Sequence, residues 1–344
     1  MSEYNFIKAC WGQPVDRVPA WLMRQAGRYL PQYREVRSRG EGTFLDLCKD
    51  PQRAAEVTIQ PIDILDADAA ILFSDILTPI EPMGMELDFA PGPVFANPVR
   101  TQADVDALTV PENMAEAVSY VPAIIKILRK EFEGRVPLIG FGGAPFTLAC
   151  YMVEGKGSKD FASLKQMMYS DPGLYHALME KITEMDLRYL NMQIEAGAQT
   201  IQIFDTWGGL VSPHDFEKFV LPYTQKLIAG LNRKDVPIIY FVKGAGTMLE
   251  LVKEAGSDVI GLDWHIDLGK ARDILGDDVA VQGNLDPSVL FAPHAYIEQE
   301  VQRILNENAD RPGFIFNLGH GITPAVPPEN AIFMVDAVHR LSQK

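Results

Sequence analysis

The sequence predicts a (β/α)₈ TIM barrel in one domain spanning residues 1–344, with a β-hairpin insertion near 81–99. Three observations carry the prediction. Eight short apolar runs, 18–23, 69–73, 136–141, 200–204, 236–242, 259–262, 279–283 and 314–318, are separated by helical or helix-containing stretches. Such alternation implies a parallel sheet, and eight units in one chain imply a closed one. Nearly every run also ends in polar residues, as a pocket at the C-terminal rim of a barrel would produce. An open doubly wound sheet is the runner-up, but it usually needs fewer strands.

Val18-Pro19-Ala20-Trp21-Leu22-Met23 reads as a strand buried on both faces. It gives way abruptly to Arg24-Gln25-Ala26-Gly27-Arg28-Tyr29, two planar forks suited to carboxylate or phosphate. Leu30 to Arg39 is a polar, basic loop or short helix above the strand end. Asp50-Pro51 is an N-cap with proline at the first helical position, and that helix runs to about Leu65. The second strand, Ala69 to Phe73, ends in Ser74-Asp75. Glu81 to Val99, rich in proline and glycine with short alternating patches, reads as the hairpin. Pro111 to Phe132 is an amphipathic helix. Val136 to Phe141 leads into the loop that holds Tyr151. Asp171-Pro172 caps a helix reaching about Gly197, and Ser212-Pro213 caps another after the strand Thr200 to Phe204. The strand Val236 to Val242 ends at Lys243, and Val259 to Leu262 ends in Asp263-Trp264-His265. Val279 to Gly283 ends in Asn284, a helix follows from Pro287 to about Asn308, and Phe314 to Leu318 ends in Gly319-His320-Gly321. Pro327-Pro328 opens the closing helix to Leu341.

Composition narrows the function. With 47% hydrophobic and 22% charged residues the chain is an ordinary globular protein, and no apolar run nears the roughly 20 residues that span a bilayer. Residues 1–16 lack a basic start followed by an apolar segment, so a cytoplasmic protein is expected. Cys10, Cys48 and Cys150 are far apart and form no CxxC pair, which argues against disulfides or a cysteine-rich zinc site. A net charge of −15 disfavours nucleic acid and anionic membranes as partners. Any anionic substrate must then be held by local arginines against the field of the whole protein.

Several familiar chemistries fail at the motif level. Gly140-x-Gly142-Gly143 lacks the third glycine of a dinucleotide fingerprint, and Gly155-Lys156-Gly157-Ser158 is no P-loop. HExxH and GxSxG are absent. Of the six histidines, His176, His214, His294 and His339 lie in helical stretches and read as surface residues. His265 reads as structural or as a support behind the site. His320 lies between two glycines, which let backbone or ligand approach closely. Asp75 has two readings, a carboxylate capping the next turn or a buried anion facing pocket cations and N–H donors. Tyr151 is a core aromatic or a pocket hydroxyl. The strand ends together describe a pocket of guanidinium groups, a histidine, hydroxyls and one acid, suited to a polyanion with a cationic or N–H-rich part.

PAWLMRQAGRYLPQYR, LFSDIL, GFGGAPFTLACYMVEGKGSKDF, FDTWGG, QGNLDP and FNLGHGI, in this order from about Trp11 to Val335, closely resemble the uroporphyrinogen decarboxylase family. The resemblance implies a homodimeric, cofactor-free and metal-free barrel that converts the four acetate side chains of uroporphyrinogen III to methyls, giving coproporphyrinogen III in tetrapyrrole biosynthesis. It places substrate binding on Arg24, Gln25, Ala26, Gly27, Arg28, Asp75, Tyr151, Thr206 and His320, with Asp75, Arg24 and Tyr151 catalytic and Arg37 a further basic residue near the cleft. Many members carry serine at the position of Thr206. The alternative is a zinc-dependent corrinoid- or folate-linked methyltransferase on the same barrel. The His-x-Cys element of those enzymes is missing, because Gly319-His320-Gly321-Ile322 has no cysteine.

Overall fold

A computed structural model describes residues 4–39, 42–89 and 92–344. Among these, seven parallel strands form one curled sheet: β1 (Ala70–Ile71), β4 (Leu138–Gly143), β5 (Thr200–Asp205), β6 (Ile238–Val242), β7 (Val259–Gly261), β8 (Ala280–Leu285) and β9 (Phe314–Leu318). They are ordered around the barrel as in sequence. Outside it, β2 (Leu87–Phe89) and β3 (Pro93–Phe95) pair antiparallel, which is the expected hairpin.

The expected first strand closes the ring but is reduced to one bridge, Ala20 to Phe316. Phe316 N donates to Pro19 O at 2.9 Å and Trp21 N to Phe316 O at 3.3 Å, while Asp68 N donates to Ala20 O at 2.8 Å on the other side. Pro19 has no N–H to give the ladder. Side chains then replace backbone partners: Ala20 N donates to Asp68 Oδ2 (2.7 Å), Leu22 N to Gln25 Oε1 (3.2 Å) and Met23 N to Asn317 Oδ1 (3.0 Å). These bonds satisfy buried amides that would otherwise be costly.

Every residue of β4, β5 and β8 is buried, as expected of strands lined by barrel interior and by helices. Trp21 Nε1 donates to Gln282 Oε1 (2.8 Å), and Gln282 Nε2 to Gln202 Oε1 (3.1 Å). β5 and β8 are not sheet neighbours, so this amide chain crosses the barrel interior.

Helix starts follow the capping logic. Asp50 accepts from Gln52 N and Arg53 N (3.0 and 3.1 Å), Asp171 from Leu174 N (3.1 Å) and Ser212 from Asp215 N (3.1 Å). Proline shortens two expected helices. The stretch 111–132 divides into Met114–Ala117 and Tyr120–Glu131, where Pro122 supplies no N–H to bridge the break. The stretch 287–308 divides into Pro287–Phe291 and His294–Asn308, separated at Pro293.

One histidine departs from expectation. His339 is buried, and its Nε2 lies 2.7 Å from Asp68 Oδ2. Its helix, Pro328–Leu341, packs against the barrel, and a helix face that covers a buried carboxylate needs a polar partner there. His214 and His294 are exposed; His176 is half-buried, its Nδ1 2.6 Å from the Tyr223 hydroxyl. Among the described residues no helix is long and apolar enough to cross a membrane.

Candidate active site

The mouth is built first by the turn after Ala20. Arg24 holds φ 64°, a left-handed conformation that costs a non-glycine residue about 1–3 kcal/mol unless its surroundings enforce it. Gln25 does the enforcing. It is 1% exposed, its Oε1 accepts from Leu22 N, and its Nε2 donates to Ala69 O at 3.0 Å. Its N–H donates to Leu22 O at 2.9 Å, and its carbonyl accepts from the Tyr29 hydroxyl at 2.9 Å. Every polar group of Gln25 is thus spent on the scaffold. Gly27 is required on packing grounds, since a Cβ there would lie 2.8 Å from Arg24 O. The guanidinium groups of Arg24 and Arg28 find no hydrogen-bond or ion-pair partner among the described residues, and neither do the backbone N–H groups of Ala26, Gly27 and Arg28.

Asp75 is half-buried in the loop beyond β1. Its Oδ1 accepts from Leu77 N at 2.9 Å, and its carbonyl accepts from Thr78 Oγ1 at 2.8 Å. One oxygen therefore caps the next turn, and the other has no hydrogen-bond partner among the described residues. Burial raises the Asp75 pKa above the usual carboxylate value, against the opposing pull of the Leu77 N–H and of Arg24.

Tyr151 lies on the helix Pro145–Glu154, not in a loop as expected. Pro145 starts that helix directly after β4, with no capping side chain to announce it. The ring meets Phe161 and Trp207 edge-on at 5.8 and 6.1 Å. Burial raises the Tyr151 pKa, Trp207 and Arg24 lower it, and Asp75 raises it further. Tyr151, Asp75 and Arg24 therefore share one electrostatic neighbourhood.

One turn before Tyr151, Thr147 Oγ1 donates to Asp205 Oδ1 at 2.6 Å and accepts from Trp207 N at 3.1 Å. The Tyr240 hydroxyl donates to Asp205 Oδ2 at 2.8 Å. Asp205, fully buried at the end of β5, thus ties the Tyr151 helix to the loop carrying Thr206 and Trp207. Burial pushes its pKa up to about 6, although the Thr147 and Tyr240 hydroxyls and the Gly208 N–H hold it down. Thr206 is half-buried, and its hydroxyl bonds to no described residue.

His320 is set between two close contacts. A Cβ on Gly319 would come within 2.8 Å of Trp264, and one on Gly321 would lie 2.8 Å from Arg24 Cγ and 2.9 Å from its Nε. The imidazole tilts against Phe241 at 6.1 Å. Burial drives its pKa down to about 3, and Arg24 and then Lys243 push the same way. At neutral pH it is an uncharged ring able to donate one N–H.

Arg37 lies at the edge of this group: Cys48 feels the charges of both Asp75 and Arg37, and Tyr33 those of Arg37 and Arg28. Arg37 lies on the helix Pro31–Ser38, and its Nη1 donates to Gly42 O at 2.9 Å. The opposite rim is stiffened by Asp263, which accepts from Gly244 N (2.6 Å) and from His265 N and Nδ1 (3.0 and 2.8 Å). Asn284 Nδ2 donates to the carbonyls of Asp263 and Ile266. Among the described residues no three of His, Cys, Asp or Glu gather as metal ligands, and all three cysteines are buried.

An eight-unit α/β barrel whose C-terminal mouth brings the unpaired Arg24 guanidinium, a neutral histidine and the Tyr151 phenol near the Asp75 carboxylate is built as an enzyme pocket. The chain belongs to the uroporphyrinogen decarboxylase family, whose model matches residues 1–341. A uroporphyrinogen decarboxylase of Geobacter sp. strain M21 is 73% identical over 340 residues, covering 99% of both chains. That of Geobacter sulfurreducens is 72% identical with the same coverage. Among solved structures, a methyltransferase from Methanosarcina mazei superposes with a TM-score of 0.83 at 22% identity, covering 98% of this chain and 97% of that one. A B12-independent methionine synthase from Shewanella sp. W3-18-1 gives 0.60 at 13% identity, with 94% and 95% covered. Those two likenesses establish the fold alone.

Proposed function

We propose that this chain decarboxylates the four acetate side chains of uroporphyrinogen III to methyls, giving coproporphyrinogen III, with no cofactor. The observation that carries the reading is the mouth itself, where Arg24 stands without an acid partner beside the half-buried Asp75, and Arg28, four residues on, is likewise unpaired among the described residues. Uroporphyrinogen bears eight carboxylates, so a protein of net charge −15 needs such a local cluster to hold it.

The pyrrole supplies the chemistry that a cofactor supplies elsewhere. Protonation of the ring α-carbon next to the one bearing the acetate gives a cationic ring whose charge reaches the acetate-bearing carbon. The C–CO₂ bond then breaks, and its electron pair forms an exocyclic methylene and neutralises the ring. Protonation of that methylene makes the methyl, and loss of the added α-proton restores the pyrrole. Asp75 accepts hydrogen bonds from the converging pyrrole N–H groups and stabilises the cation, a preorganised electrostatic role. Its raised pKa means that burial alone leaves the anion under-solvated, which N–H donors from a substrate would relieve. Arg24 and Arg28, the free N–H groups of Ala26 and Gly27, and the N–H of neutral His320 hold carboxylates. Tyr151 and Thr206 orient the reacting acetate, while Gln25 and Gly27 fix the backbone that presents Arg24. Arg37 serves an outer carboxylate. The enzyme acts as a cytoplasmic homodimer.

The zinc-dependent methyltransferase reading is weaker, since relatives at 71–73% identity carry the decarboxylase name. The deciding experiment incubates metal-stripped protein anaerobically with uroporphyrinogen III and separates the oxidised products by carboxyl count. Conversion from eight carboxyls to four supports the reading; unchanged substrate with folded protein refutes it.

A further inference from the structure

We propose that Lys243 is a substrate-binding residue of this mouth, holding a carboxylate of the tetrapyrrole on the rim opposite Arg24; this rests on the function proposed above. The ring order places β6, which Lys243 follows, four positions from the Ala20 segment that Arg24 follows. The two cations thus rise from opposite walls of the barrel. They nevertheless converge, because His320 feels the charge of both.

Lys243 is half-buried, yet its ammonium has no acid or hydrogen-bond partner among the described residues. In a chain with 46 acidic against 31 basic residues, a lysine sheltered in a cleft without an acid partner is held there by its surroundings. Its stem follows a buried five-residue strand, and its Nζ lies 5.7 Å from the centre of the Trp264 ring. Trp264 stacks on His265 at 5.0 Å, and it lies so near Gly319 that a Cβ there would come within 2.8 Å of its ring. His265 is in turn held by Asp263. The chain Asp263–His265–Trp264 therefore forms a platform for the ammonium, since an aromatic face attracts a cation without neutralising it. A charge so held remains available to an incoming carboxylate. A flat macrocycle with carboxylates around its whole edge is the ligand that engages cations on both walls at once.

The test measures steady-state kinetics of Lys243→Met and Lys243→Arg on anaerobically prepared uroporphyrinogen III, alongside wild type. Methionine keeps an apolar stem over Trp264 and removes only the charge. The expected result is a KM raised about tenfold in Lys243→Met, with the loss falling on KM rather than kcat and shrinking at high salt. Lys243→Arg should recover most of the affinity. A wild-type KM in folded Lys243→Met, or an equal KM loss in Lys243→Arg, overturns the assignment. A proton NMR titration of His320 adds a second readout. A raised His320 pKa in Lys243→Met with KM unchanged would reduce Lys243 to tuning the histidine and overturn its contact with substrate. An inactive wild type would instead refute the functional reading, and this inference with it.

Discussion

The two ends of the barrel's first segment use the same residue types to opposite ends. At the base, Asp68 accepts from Arg17 Nη2 (3.0 Å) and from Ala20 N and pairs with His339 Nε2 (both 2.7 Å). Burial works to raise its pKa, but His339, Ala20 and Arg17 together outweigh it and hold the carboxyl below the usual range. At the mouth, four residues beyond Ala20, Arg24 faces Asp75 and His320 with no ion pair formed: burial outweighs Arg24 and raises the Asp75 pKa, while burial, Arg24 and Lys243 together lower that of His320 to about 3. An aspartate, a histidine and an arginine that satisfy one another fix a barrel. The same three left unsatisfied await a ligand that completes them.

The comparison can be broken at either end. Asp75→Ala should lower kcat by about 10²–10³-fold while leaving far-UV circular dichroism and the urea midpoint near wild type. Turnover close to wild type would remove Asp75 from the mechanism. At the base the outcome should reverse. Asp68→Asn should cost about 3 kcal/mol of stability, seen as a lower urea midpoint, with kcat per folded molecule unchanged.

The same substitution sharpens the comparison through pH. A carboxyl whose folded pKa is depressed contributes stability in full above its unfolded value, about 4, and loses it as pH falls through the folded one. Wild type should therefore lose stability along that acid limb, and Asp68→Asn should show a flatter one in urea titrations at a series of pH values.

Arg24→Lys should raise KM about tenfold, because a point charge does not replace a bidentate fork. The smallest effect concerns His320. With a pKa near 3 in the free protein, it should show no titration between pH 5 and 8 by NMR, and kcat/KM should carry no step from this residue there. A His320 signal that titrates near 6.5 would mean that the mouth is wetter and less cationic than its geometry implies.

What could be read from the sequence followed from how local each signal is. Asp50-Pro51, Asp171-Pro172 and Ser212-Pro213 announce helices because cap and first turn lie within four residues. Strand ends at Asp75, Thr206 and His320 were legible because polarity follows directly on an apolar run, and the resemblance assigned their roles. The short first strand was not legible, since its closing partners are Asp68 and Asn317, 48 and 294 residues away. Burial of His339 depends on Asp68, 271 residues distant. The Tyr151 helix escaped because Ala144 offers no capping side chain. Gln25 stands in the run that the resemblance assigns to substrate binding, yet its sequence context gives no hint that its amide turns inward. Lys243 was visible at its strand end, but only the platform of Trp264 and the proximity of His320 distinguish it from any other lysine.

The contact of Arg24 with Gly321 has a consequence for synthesis. The arginine leaves the ribosome long before the glycine that completes its seat. At about 5–20 residues per second, Met23 waits roughly 15–60 s for Asn317 to be made. Until then the barrel has an open seam, with apolar strand edges on both sides and no partner for either. A nascent chain of this protein should therefore be inactive and sticky until β9 has been made. A chain cut before Phe314 lacks Phe316, Asn317 and His320, and should leave both barrel and active site unformed.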